Sequence, residues 1–137
     1  MAEYLLDTDH LSYIQKRHPM VLEHLGRLGP ADRILTSVIS VGELLRGALL
    51  APERGRRERL LDLYHQVINQ MAELVPVTRP TAERFAEVGA ALSTQGRPIP
   101  INDLWVAAVA LTRGAVLVTN DDHFTRVEGL TLENWAR

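Results

Sequence analysis

Residues Ile101–Arg113 carry apolar side chains nearly all the way round a helix, through Leu104, Trp105, Val106, Ala107, Ala108, Val109, Ala110 and Leu111. Such a helix has no polar face to give to water, so the segment is expected to be central and buried. Gly114 supplies its stop, and Ala115–Val116–Leu117–Val118–Thr119 follows as the most strand-like run of the chain. The same alternation runs through the rest of the sequence. Tyr4–Leu5–Leu6 reads as a short buried strand ending at Asp7. Asp9 reads as the N-cap of a helix from His10 to about Arg17, stopped by Pro19. Val21, Leu22, Leu25 and Leu28 form a helical stripe that Gly29–Pro30 breaks. The β-branched run Ile34–Val38 predicts a second strand. Ser40 and Glu43 make an S-x-x-E capping box for a helix from about Val41 to Leu50, and Pro52 opens a longer one. Leu74–Val77 reads as a third strand, Pro80–Leu92 as a helix and Leu130–Leu132 as a last edge strand. Strands alternating with helices predict an α/β fold with a mainly parallel sheet.

The chain has 137 residues, which predicts one domain over residues 1–137, and an apolar share of 46% suits a globular core. No cysteine is present, so disulfides and thiolate zinc sites are excluded. No apolar run is long enough to span a membrane. Met1–Leu6 has no basic lead before its apolar residues, so it does not read as a secretory signal, and a cytoplasmic location is expected. The 17 acidic residues outnumber the 15 basic ones. Nucleic acid could not be held by overall charge, only by a local patch. Lys16 is the sole lysine.

Open α/β sheets place ligands beyond the carboxyl ends of their strands. Four acids are expected on that rim. Asp7 ends the first strand, Glu43 and Asp103 lie in the first turns of helices, and Asp121 follows the strand ending at Thr119. Taken singly, each has an ordinary reading as a turn, cap or helix-start residue. Taken together, four carboxylates would repel one another unless a cation intervened, and oxygen-only ligands favour Mg²⁺ or Mn²⁺. His10 and His123 fall near the same rim, where packing or solvated roles outweigh proton transfer. Arg54, Arg56, Arg57 and Arg59 alternate with Glu53 and Glu58, as on a solvated helix face. Trp105 and Trp135 sit among apolar neighbours and read as packing residues.

The local contexts sharpen the pattern. Leu5–Leu6–Asp7–Thr8–Asp9, Ser40–Val41–Gly42–Glu43–Leu44–Leu45–Arg46–Gly47, Ile101–Asn102–Asp103–Leu104–Trp105–Val106–Ala107–Ala108 and Val118–Thr119–Asn120–Asp121–Asp122–His123–Phe124 resemble, in order and spacing, the four motifs of the PIN-domain nucleases. The ending, from Phe124 through Gly129–Leu130 to Glu133–Asn134–Trp135, is similar to that of the VapC toxins of bacterial toxin–antitoxin pairs. The resemblance implies a three-layer α/β/α sandwich, a Mg²⁺- or Mn²⁺-dependent endoribonuclease, a cognate antitoxin and a homodimer. It carries the acidic site over to Asp7, Glu43, Asp103 and Asp121. On that footing Asp7 and Asp103 are the main direct ligands. Glu43 positions or deprotonates the attacking water, or binds the metal through water. Asp121 completes the site or holds a second ion, and Thr119 and Asn120 orient Asp7 or a water. Asp122 stands where the family often has a basic or polar residue.

Two other readings are weighed against this one. Asp7–Thr8–Asp9 after a strand also resembles the D-x-D start of aspartate-based phosphotransfer enzymes. Those need a lysine at a later strand end, and Lys16 lies in the first helix. A non-catalytic RNA- or protein-binding module of the same fold suits the acidic net charge, but not the presence of all four acids. The expected substrate is a structured RNA, such as a transfer RNA, cut in an exposed loop. Two phenylalanines, three tyrosines and two tryptophans are too few for an extended stacking platform.

Overall fold

The computed structural model describes residues 2–137. In chain order the elements are β1 (Glu3–Leu6), α1 (Thr8–Gln15), α2 (Pro19–Arg27), β2 (Arg33–Ser37), α3 (Val38–Leu49) and α4 (Arg54–Asn69). They continue with β3 (Glu73–Val75), α5 (Arg79–Thr94), α6 (Ile101–Arg113), β4 (Val116–Val118), a 3₁₀ turn (Asp122–Arg126) and β5 (Leu132–Glu133). The five strands form one sheet in the order β3-β2-β1-β4-β5, and every pairing is parallel.

The strand period of two sends neighbouring residues to opposite faces. Leu5 and Leu117 join Leu35, Leu92, Leu104, Val109 and Phe124 in one core, beneath α5 and α6. Leu6 and Val118 join Leu11, Val21, Leu44, Val67 and Trp135 in the other, beneath α1–α4. The sheet is thus covered on both faces, giving the α/β/α sandwich. Its strand order explains the division. The chain winds from β1 outward to β3, then returns past β1 to β4. Because parallel crossovers are right-handed, this reversal moves the later helices to the opposite face.

As its composition requires, α6 is the buried helix, with Leu104 and the run Val106–Ala110 all inside. It ends at Gly114, whose φ of 71° lies in the left-handed region. The last strand is Leu132–Glu133, short of the predicted Leu130, and the tail behind it is anchored by Trp135, 1% exposed. That indole stacks on His24 with centroids 5.6 Å apart and meets Tyr4 edge-on. Trp105 stacks on Phe85 at 3.8 Å, so both tryptophans are packing residues.

Four helix starts differ from the sequence reading; α4 begins at Arg54, behind an N-cap at Glu53, rather than at Pro52. α1 is capped by Asp7, not Asp9, with the Asp7 side chain accepting from the Thr8 N–H. α3 begins at Val38, because Ser37 Oγ accepts from the Ser40 N–H at 3.0 Å. Val38 is therefore helical rather than part of a strand, and no Ser40–Glu43 capping box forms. Glu43 consequently sits in the second turn of α3. α5 opens with Arg79 ahead of Pro80 and runs on to Thr94.

Candidate active site

Strands β1 and β4 are adjacent and parallel, and the strand order reverses between them. At that point α1, after β1, and the 3₁₀ turn, after β4, leave to opposite faces, with Leu11 in one core and Phe124 in the other, opening a crevice at the carboxyl end of the sheet. Asp7 is the residue after β1. Its backbone N–H still donates to Val118 O at 3.0 Å, which pins it beside the end of β4. Its side chain is 6% exposed. Oδ1 accepts from Thr8 N at 2.8 Å and Oδ2 from Thr119 Oγ1 at 2.9 Å.

The other three acids are reached from Asp7 by short hydrogen-bonded links. Thr8 Oγ1 donates to Glu43 Oε1 at 3.0 Å, tying α3 to the end of β1. Thr119 Oγ1, which donates to Asp7, also accepts from the Asp121 N–H at 3.0 Å. Asp121 Oδ1 lies 2.9 Å from His123 Nδ1, and the same nitrogen is 3.3 Å from Asp103 Oδ2. Asn102 Nδ2 approaches Glu43 Oε2 at 3.4 Å. All four sequence-predicted acids therefore converge on one crevice, and Thr119 lies against Asp7 as expected. Asn120 makes no hydrogen bond to Asp7. Its side chain donates to Tyr13 Oη at 3.1 Å and accepts from Asn134 Nδ2 at 2.7 Å, while its backbone N–H donates to Asp9.

Crowding shows in the titration of the acids. Burial pushes the Asp7 carboxyl up to about 7, Asp9 raises it further and Asp103 adds to this, against the pull of its two hydrogen bonds. Burial and the nearby Asp121 push Asp103 up to about 6, with Glu43 also raising it and His123 pulling it down. Among the described residues no arginine or lysine forms an ion pair with any of the four acids. Asp103, Asp121 and His123 each offer a ligand atom, and these atoms lie within 4.8 Å of one another. Carboxylates short of counter-charge, with donor atoms so close, suit a hard divalent cation.

His10 and His123 have different places. His10 is fully buried, held by Asp9 Oδ1 at Nδ1 and by the Trp135 N–H at Nε2, so it is a packing residue. His123 belongs to the acidic crevice. Thr8, Asp9 and Asn102 are the residues that sequence reasoning passed over. Each stands within two positions of a predicted acid; Thr8 and Asn102 bond Glu43, and Asp9 bonds His10 and the Asn120 N–H beside the site.

The structure thus pairs a parallel α/β/α sandwich with a crevice of carboxylates in which Asp103, Asp121 and His123 could hold a metal ion. Residues 4–130 match the PIN domain, and the chain belongs to that family, among its VapC members. It is 33% identical to Ribonuclease VapC1 of Haemophilus influenzae over 98% of both chains. It is 30% identical to the tRNA(fMet)-specific endonuclease VapC of Salmonella typhimurium, over 99% of this chain and all of that one. A solved structure of VapBC-1 from nontypeable Haemophilus influenzae superposes with a TM-score of 0.86 at 29% identity, covering 98% of this chain and 99% of that one.

Proposed function

We propose that this chain is a Mg²⁺- or Mn²⁺-dependent endoribonuclease, the toxin of a toxin–antitoxin pair, built as one nuclease domain and working in the cytoplasm. The observation that carries the reading is the gathering of Asp7, Glu43, Asp103 and Asp121 near the β1–β4 switch point with no arginine or lysine among the described residues paired to them. Asp7 and Asp103 are the principal ligands, and Asp121 completes the site. A divalent cation bound there supplies a nucleophilic water at neutral pH and offsets charge building on the scissile phosphate.

The protein's own groups do the positioning. Thr8 and Thr119 hold both Asp7 oxygens, so the carboxylate cannot turn away from the crevice. Glu43 Oε1 is fixed by the Thr8 hydroxyl, and Oε2 meets only Asn102, at 3.4 Å. Oε2 is therefore the oxygen left to orient the attacking water and take its proton. The His123 ring holds Asp103 and Asp121 together.

The substrate is RNA, cut in an exposed loop of a folded molecule such as a transfer RNA. Unstacked loop bases are what proteins read most readily in RNA, and the chain has neither a broad basic face nor a stacking platform to hold extended strands. A free ribonuclease would harm its own cell, so an antitoxin partner follows. The exposed Leu49, Leu50 and Leu63 on α3 and α4 offer an apolar strip for an amphipathic antitoxin segment, and an arginine from that partner could neutralise the acids. The chain acts as a homodimer.

The test is cleavage of total cellular RNA by the wild type beside Asp7→Asn and Asp103→Asn, with the new 5′ ends mapped. The expected result is a few discrete sites for the wild type, and activity reduced by roughly a hundredfold or more in each variant with folding intact. Full activity in Asp7→Asn, uniform degradation of all RNA, or equal cutting of single-stranded DNA would contradict the reading. Unslowed growth of a bacterial host expressing the chain alone would remove the toxin assignment. A monomeric mass at high concentration would remove the dimer.

A further inference from the structure

Beside the four acids lies an open cleft of about 720 Å³ that shares Asp121 and His123 with them and carries Arg97, Arg126, Asp122 and Tyr13 on its walls. From its two arginines we infer that this cleft is an RNA-backbone clamp, in which Arg97 and Arg126 hold a phosphate next to the one being cut and Asp122 moderates their grip. The inference rests on the ribonuclease reading above and names how that site holds its substrate.

The two arginines are set in place by independent devices. Arg97 follows Gly96, whose φ of 68° turns the chain off the end of α5. The Gly96 N–H donates to Ser93 O at 3.0 Å and the Arg97 N–H to Leu92 O at 2.9 Å. This paired closure fixes the Arg97 backbone, while its guanidinium meets no protein partner among the described residues. Arg126 comes from the far side of the cleft, at the end of the 3₁₀ turn that carries His123. One of its N–H groups donates to Pro98 O at 2.9 Å, the residue after Arg97. That contact ties the two walls together and leaves the remaining donors of the fork free. Neither arginine joins an ion pair among the described residues, and both line the cleft that holds Asp121. A planar fork with free donors matches a phosphodiester.

Charge explains the need. The chain's net charge is −2 and the crevice concentrates acids, so an RNA strand is repelled from the place where it must react. Two unpaired cations at the crevice's edge offset that repulsion locally. Asp122 acts in the opposite sense. Its carboxylate makes no hydrogen bond or ion pair among the described residues, and it faces the same cleft. The three side chains therefore make signed predictions that a purely structural role does not.

The experiment measures kcat and KM on bulk transfer RNA, and anisotropy of a fluorescein-labelled single-stranded RNA in Ca²⁺, both across a salt series. Arg97→Ala and Arg126→Ala should each raise KM and Kd about five- to tenfold with kcat within about twofold. The double variant should flatten the log–log salt slope by about 0.7, the share of one single-strand phosphate. Arg97→Lys and Arg126→Lys should keep the slope, and Asp122→Asn should tighten binding about twofold. An unchanged slope in the double variant, or a loss confined to kcat, overturns the clamp. If the wild type cuts no RNA, the ribonuclease reading falls, and the anisotropy still decides the clamp: weakened binding in the folded, exposed-site variant Arg97→Glu supports it, and unchanged binding overturns it.

Discussion

Thr119 is the smallest group on which the site depends. Its hydroxyl donates to Asp7 Oδ2 and accepts from the Asp121 backbone, so one oxygen sets the spacing of two acids. Thr119→Val keeps the shape and removes the bridge. Activity and divalent-ion affinity should each fall about 10- to 100-fold while the melting temperature stays near that of the wild type, and calorimetric titration with Mn²⁺ checks this. The acids themselves were legible in the sequence, because strand ends and helix starts can be located from apolar runs, and in a parallel sheet they share a rim. Asp9 was not legible as a neighbour of the site. Capping preference admits either Asp7 or Asp9 before the first helix, and only the Asp7 side chain's bond to Thr8 N shows which is used. His123 was placed near the rim from sequence, but its partners Asp103 and Asp121 were not legible, since they meet only once α6 has packed on β4.

Among the elements, α6 was the clearest from sequence alone, with both ends where its apolar run and Gly114 put them. The start of α3 was misplaced because Val38 has β-branched chemistry, and two serines three residues apart can each serve as a cap. Ser37 wins by bonding Ser40 N. Short strands such as β3 and β5 exist through pairing with neighbours, which local composition does not report. The C-terminal end of α6 carries its own test. A Cβ on Gly114 would meet nothing within 4 Å, so its replacement costs only backbone conformation. Gly114→Ala should lower stability by about 1 kcal/mol in urea denaturation without changing catalysis. One residue earlier, Arg113 bonds Glu3 at 2.8 and 3.0 Å and Glu73 at 2.7 and 2.8 Å, joining α6 to β1 and β3 at the rim opposite the site.

At the scale of the whole molecule the two rims have opposite electrostatics, and stability should follow pH accordingly. Hydrogen bonds from Arg113 hold Glu3 and Glu73 below the usual carboxylate range. Their contribution is present above about pH 4.5 and is lost as pH falls through the lowered values. Asp7 and Asp103 behave in the reverse sense. They stay protonated in the folded state to about 7 and about 6, while the unfolded chain has already lost those protons near 3.8. Their cost appears as pH rises through that window and is complete above it. The metal-free protein should therefore be most stable near about pH 5 and melt lower at pH 8, and Asp7→Asn should recover much of the difference. Thermal melts in EDTA across that range check this; a melting temperature rising steadily from pH 5 to 8 would contradict it. Mg²⁺ should restore stability chiefly at the alkaline end, because it competes with protons for the same oxygens.

The central claim is that the four acids form a cation site that cleaves RNA. Its most direct measurement is the initial rate of RNA cleavage by the purified protein, first in EDTA and then after Mg²⁺ or Mn²⁺ is added back in excess. Cleavage should be absent in EDTA and recover fully on re-addition. Cleavage that persists undiminished in EDTA would contradict the claim.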